Sequence, residues 1–188
     1  MKSYYLAALS CITILVIAWY AWPFPRFEVS TVSDRTKMQG YNRDEFGGWQ
    51  PNGACTTREA IIKNQASEAL SDCRPQSGMI YDPYAGEMIS ATSPIEVDHI
   101  FPLSAAFDMG AADWDRNTKI RFANDPLNLV ATSRKLNQEK SDSLPSEWLP
   151  PANRCDYSRR LAEIAQKYKL SLSRADVRAM RRQCRFDF

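Results

Sequence analysis

The feature that most constrains this chain is a run of 19 residues, Tyr4 to Trp22, without a charge. In a helix, at about 1.5 Å per residue, it is about as long as a bilayer's hydrocarbon layer is thick. It predicts a signal anchor or a cleaved signal peptide, and either one exports the domain behind it. Cleavage favours small residues, but this run leaves through Trp19, Tyr20 and Trp22 into Pro23-Phe24-Pro25, and its best small-residue site is Val16-Ile17-Ala18. Two tryptophans and a tyrosine at one end suit a membrane interface, so we read an anchor, with cleavage as the alternative. The expected organisation is an anchor or signal over 1–25, a linker over 26–40 and one folded domain over 41–188. The membrane is contacted through residues 4–22, and no protein partner is implied.

Export decides how the cysteines read. Cys11 lies in the apolar run, and Cys55, Cys73, Cys155 and Cys184 remain. An even number outside the cytosol argues for disulfides, and the simplest pairing is local, Cys55–Cys73 and Cys155–Cys184. Each would contribute roughly 3 kcal/mol in the chain-entropy model. A zinc site is the rival, but no pair shows Cys-x-x-Cys spacing. With 44% hydrophobic and 24% charged residues in 188, the chain can bury one core and is not disordered.

The pattern predicts an α+β fold. Thr56 with Glu59 forms a capping box that opens a helix carrying Ile61, Ile62, Ala66 and Leu70. Met79 to Ser90 reads as a hairpin around Pro83-Tyr84-Ala85-Gly86, and Ile95 to Phe101 as a strand stopped by Pro102. Helical stretches at Leu103 to Met109, ended by Gly110, and at Trp114 to Phe122 follow. Next come a strand from Leu127 to Thr132 and a helix from Ser133 to about Lys140. Tyr157 to Tyr168 and Arg174 to Cys184 read as two further helices, the second capped by Ser173 with Asp176. The net charge is +2, yet residues 154–185 hold ten Lys and Arg against three acids. That basic tail (Arg174, Arg178, Arg181, Arg182, Arg185) reads as a solvated face or as a contact for nucleic-acid backbone.

The chain holds one histidine, His99, which excludes His-rich zinc sites and paired imidazoles. It follows Asp98 in an apolar strand, where a charged pair is costly unless it faces a polar site. Neighbours on a strand point to opposite faces, so the two can share a site only where the strand bends or ends. By residue type alone, a hydrogen-bonded core histidine is as good a reading as a catalytic one. Lys140 could touch a phosphate or be a surface lysine. Arg58, in the first turn of a helix, asks for a carboxylate or a phosphate. Trp114, Phe122 and Trp148 read as core.

Several pieces come in a fixed order. They are Asp98-His99-x-x-Pro102-Leu103, the run from Trp114 to Arg121-Phe122-Ala123-Asn124-Asp125-Pro126-Leu127-Asn128-Leu129, and Asn137-x-x-Lys140. Tyr41-Asn42-Arg43, Phe46-Gly47-x-Trp49 and Cys55-Thr56-Thr57-Arg58 precede them, and Glu147-Trp148-Leu149-Pro150-Pro151 and Cys155-x-Tyr157 follow. This set resembles the HNH, or ββα-metal, endonucleases, and most of all the small exported ones related to the GmrSD C-terminal domain.

The resemblance implies a ββα-metal core with added helices and a hairpin. It implies His99 as general base, Asp98 and Asn137 as metal ligands, and Asn128 as a brace for the loop between the strands. Arg58 and Lys140 become candidate phosphate contacts. A carboxylate, an amide oxygen and waters suit one divalent Mg²⁺ or Mn²⁺ ion rather than Zn²⁺. An imidazole that titrates near 6.5 can take a proton from water at neutral pH. The implied activity is metal-dependent hydrolysis of phosphodiester bonds in DNA, or also RNA, with low sequence specificity. Two other readings stay open, an inactive HNH-like nucleic-acid-binding module and a disulfide-stapled envelope protein.

Overall fold

The computed structural model describes residues 4–5, 9–14, 27–67, 73 and 77–185. Most of the apolar run, the cleavage site and Leu70 lie outside these, and among the described residues no helix is long and apolar enough to cross a membrane.

The strands are β1 (Ser30–Val32), β2 (Pro51–Asn52), β3 (Cys55–Thr56), β4 (Met79–Asp82), β5 (Glu87–Ser90), β6 (Ile95–His99), β7 (Leu129–Ser133) and β8 (Ser171–Ser173). The helices are α1 (Thr57–Asn64), α2 (Leu103–Ala106), α3 (Arg116–Ala123), α4 (Arg134–Lys140), α5 (Arg154–Tyr168) and α6 (Arg174–Gln183). The α+β expectation holds, and among the described residues the strands form four two-stranded sheets.

Local signals explain many boundaries. The Thr56–Glu59 and Ser173–Asp176 capping boxes are both formed, at the starts of α1 and α6. The β4–β5 hairpin forms as expected, with Met79 opposite Ser90 and Asp82 opposite Glu87. The helical patch after Pro102 starts as α2 and continues as a π turn, Phe107–Ala111. Its Gly110 has φ 134°, a conformation that glycine adopts without strain.

The sheet that matters most is β6–β7. It is antiparallel, with Val97 opposite Ala131 and His99 opposite Leu129, and α4 follows β7 directly. Ile95 and Val97 pack with Ile61, Ile62, Ile80, Leu129 and Ala131 in a small core beneath α1. A larger core gathers Phe46, Phe101, Phe122, Leu161, Ile164 and Met180 around α5, with Trp114 and Trp148 packed against it.

The linker expectation needs revision at residues 30–38. β1 pairs in parallel with β8 from the other end of the domain, Ser30 opposite Ser171. Arg35 donates to Asp108 at 2.7 Å and to Asp142 at 2.8 Å, and the Met38 amide donates to Asp108. The polar composition that suggests a linker here supplies the partners that fasten it.

Both expected disulfides are present, Cys55–Cys73 and Cys155–Cys184. The second joins the start of α5 to the residue after α6, across a separation of 29 residues. Replacing both of its cysteines with serine is expected to cost roughly 3–4 kcal/mol. Chemical denaturation measures this, and a change below about 1 kcal/mol would show that the bridge hardly constrains the unfolded chain.

At its far end α5 is tied to the loop before β7. Lys167 Nζ and Tyr168 Oη donate to Asp125 Oδ2 at 2.6 and 2.7 Å. Partial burial pushes the Asp125 carboxyl up, but these bonds outweigh it and hold its pKa below the usual carboxylate value. A lowered carboxylate pKa stabilises the fold above the unfolded value of about 4 and ceases to do so as pH falls through the folded value. Asp125→Asn should therefore melt below wild type at pH 7, and the gap should close towards pH 3. A pH-independent gap in thermal melts would assign the effect to shape alone.

Candidate active site

The site forms where β6 ends. Strand alternation points Ile95 and Val97 into the small core and Glu96 and Asp98 to the opposite face, beneath α4. On α4, Asn137 and Lys140 lie one turn apart and meet this pair in register. Asn137 Nδ2 donates to Glu96 Oε2 at 2.6 Å, and Lys140 Nζ lies 2.9 Å from Asp98 Oδ2. Lys140 also donates to the His99 carbonyl at 2.9 Å, and the Tyr84 hydroxyl donates to Asp98 Oδ2 at 2.6 Å. Burial raises the pKa of Asp98, against the opposing pull of Lys140 and Tyr84. Burial also pushes the Tyr84 hydroxyl well up, helped by the neighbouring Asp98.

His99 sits at the turn, with its ring between Trp49 and the Ala123 carbonyl. Its ring stacks on Trp49, with centroids 5.6 Å apart and planes 4° from parallel. Nε2 lies 2.9 Å from the Ala123 carbonyl oxygen. A carbonyl only accepts, so Nε2 carries the hydrogen and Nδ1 keeps its lone pair. Only 8% of the residue is exposed. Burial lowers its pKa to about 4; the Ala123 carbonyl opposes this, and the charges of Arg43 and Lys140 add to it. At neutral pH the imidazole is uncharged, and Nδ1 has no hydrogen-bond partner among the described residues.

Asn128 is fully buried and brackets the turn after β6. Its Oδ1 accepts from the Phe101 amide at 2.8 Å, its Nδ2 donates to the Phe101 carbonyl, and its own carbonyl accepts from the Ile100 amide. The fold thus spends this side chain on backbone and directs none of it at a ligand.

Asp98, His99 and Asn137 come together from β6 and α4 to line one cavity of about 480 Å³, shared with Tyr41, Arg43 and Asp142. Among the described residues, no group of three or more His, Cys, Asp or Glu could hold a metal ion. The donors available are the Asp98 carboxylate and Asn137 Oδ1, which accepts no hydrogen bond among the described residues while Nδ2 is committed to Glu96. These are hard oxygen donors, few in number, with Lys140 already offsetting the Asp98 carboxylate. That set fits a magnesium-like ion that keeps most of its water, and it does not fit a zinc cage.

Two candidate phosphate contacts are placed elsewhere. Lys140 is fully buried on Asp98, because its long stem lets the ammonium reach a carboxylate that burial leaves needing a partner. Arg58 donates to the Ile95 carbonyl and lines neither cavity that contains His99. Sequence reasoning assigned no site role to Glu96, Tyr84, Trp49 or Arg43, although Arg43 and Trp49 stand in the motif that precedes the site. Alternation along β6 was signal enough to find Glu96; the other three reach the site only through tertiary packing.

The model of a family described as the C-terminal domain of GmrSD restriction endonucleases matches residues 58–178, well over half of the chain. A protein of Arthroderma benhamiae, described as an uncharacterized secreted protein, is 33% identical over 197 residues, which cover 96% of this chain and 97% of its own. No solved structure matches.

Proposed function

The chain belongs to the family of GmrSD restriction endonuclease C-terminal domains, an HNH-related nuclease family, and from this we propose that it is an exported endonuclease that hydrolyses phosphodiester bonds of DNA, with RNA as a second polymer. The observation that carries this reading is the placement of His99, which lines one cavity with Asp98 and Asn137, with Nε2 committed to Ala123 and Nδ1 without a partner among the described residues.

In this reading His99 Nδ1 accepts the proton of the attacking water. The Ala123 hydrogen bond fixes the tautomer, and Trp49 fixes the plane of the ring. Asn128 holds the turn that positions His99, and Tyr84 and Lys140 hold the Asp98 carboxylate. Asp98 and Asn137 would hold the divalent ion, which supplies charge stabilisation at the phosphate and the leaving oxygen. The secreted description of the Arthroderma relative supports export, and the two disulfides agree with an oxidising compartment. The apolar run at 4–22 remains, in this proposal, the segment that directs it.

Plasmid cleavage tests the proposal. Purified protein should nick and linearise DNA with Mg²⁺ or Mn²⁺ and stop on addition of EDTA. Cleavage that continues unchanged in EDTA overturns the metal role. Tight, salt-sensitive binding without cleavage in either metal points to an inactive nucleic-acid-binding module.

A further inference from the structure

The His99 cavity continues past the histidine. It shares Arg43, His99 and Leu103 with a second, smaller cavity of about 130 Å³ walled by Trp49. The smaller one and a third groove, of about 630 Å³, both have Asn124 in their walls. That shared wall is held rigidly, since Asn124 Nδ2 donates to the Gly48 carbonyl and Oδ1 accepts from the Gln50 amide at 2.9 Å.

Cations follow the same path. Arg43 is exposed on the rim of both cavities that His99 lines, with no carboxylate partner among the described residues. In the third groove Arg121 is exposed and donates to Thr118 Oγ1 at 2.8 Å, with the Asp115 carboxylate nearby but not paired. Lys169 is exposed there and has no partner among the described residues. Lys167 lines the groove too but is committed to Asp125, and that pair cancels. Asp142, in the first cavity, is likewise answered by Arg35.

We infer that Arg121 and Lys169 bind the sugar-phosphate backbone of the substrate strand beyond the reacting phosphate, so that the strand runs through the His99 cavities into the third groove. The inference rests on the phosphodiesterase reading and adds to it a polymer that extends past the scissile bond. Exposed cations without an ion-pair partner along a groove suit phosphate contacts, and such contacts position a strand without reading its bases. Charge alone would choose α6, where Arg174, Arg178 and Arg182 are exposed at four-residue spacing. That face adjoins no cavity that includes His99.

The test is fluorescence anisotropy with a labelled single-stranded oligodeoxynucleotide in EDTA, which separates binding from cleavage. The Arg121→Gln, Lys169→Asn double variant (asparagine tolerates the left-handed backbone at 169) should bind about tenfold more weakly at low salt. Its slope of log K against log salt should be shallower by about 1.4, the value for two phosphate contacts on a single strand. The Arg174→Gln, Arg178→Gln, Arg182→Gln variant should bind as wild type does. Unchanged affinity and slope in the double variant, or loss only in the α6 variant, overturns the inference. Arg121→Gln alone, with a slope change of about 0.7, serves if the double variant melts early. A wild type that binds the strand but leaves it intact with Mg²⁺ defeats the hydrolase reading and spares the groove. Cleavage by a wild type whose double variant binds equally well defeats the groove alone.

Discussion

Replacing His99 with alanine is expected to lower the rate of DNA cleavage by about 10²–10⁴-fold, the range for loss of a general base. The chain has one histidine, so no second imidazole can take over the proton. The loss should fall on kcat, since nothing in the cavity suggests that the ring itself binds substrate tightly. The alanine also leaves a hole between Trp49 and Ala123, so His99→Gln, which keeps more volume, should be measured beside it. Both variants should be near-silent while retaining a cooperative melt. Metal-dependent cleavage that survives in either at more than about a tenth of the wild-type rate would remove His99 from the mechanism.

The second large effect concerns stability. Lys140 is fully buried and Asp98 is only 6% exposed, so each is the other's answer to burial. Lys140→Met strands the carboxylate and should cost roughly 3–5 kcal/mol. In a domain of this size that lowers the melting temperature on the order of 10 °C. The double variant Asp98→Asn, Lys140→Met removes the stranded charge and should recover much of the loss, although it destroys the site. A single variant that melts within about 2 °C of wild type would mean that water reaches the pair freely.

How much of this was legible in the sequence depended on whether the signal was local. The capping boxes at Thr56 and Ser173, the hairpin around Pro83-Tyr84 and both disulfides come from neighbours or simple pairing, and all are found, while the expected stop at Gly110 is a kink inside a turn that runs on to Ala111. The strand pair at Asp98-His99 and Leu129 was legible because β-branched and aliphatic residues there sit between clear breakers. β1 and β8 were not legible: each is three residues long, β1 is exposed along its length, and their parallel register joins opposite ends of the domain. In the site, the convergence of Asp98, His99 and Asn137 followed from the ordered motif. The burial of Lys140 did not, because lysine alone predicts solvent, and only the packing of α4 on β6 shows which carboxylate it answers.

The way the two ends of the domain close on each other matters for anyone trimming the chain. A fragment cut to the family-matched 58–178 would lose β1, leaving the backbone edge of β8 open to another molecule. It would lose Cys55 and Cys184 while keeping Cys73 and Cys155, giving two odd thiols free to crosslink copies. It would also discard Trp49 and Arg43, the ceiling and rim of the histidine's cavity. Such a fragment should run as disulfide-linked multimers on a non-reducing gel, while the chain from residue 27 onward stays monomeric.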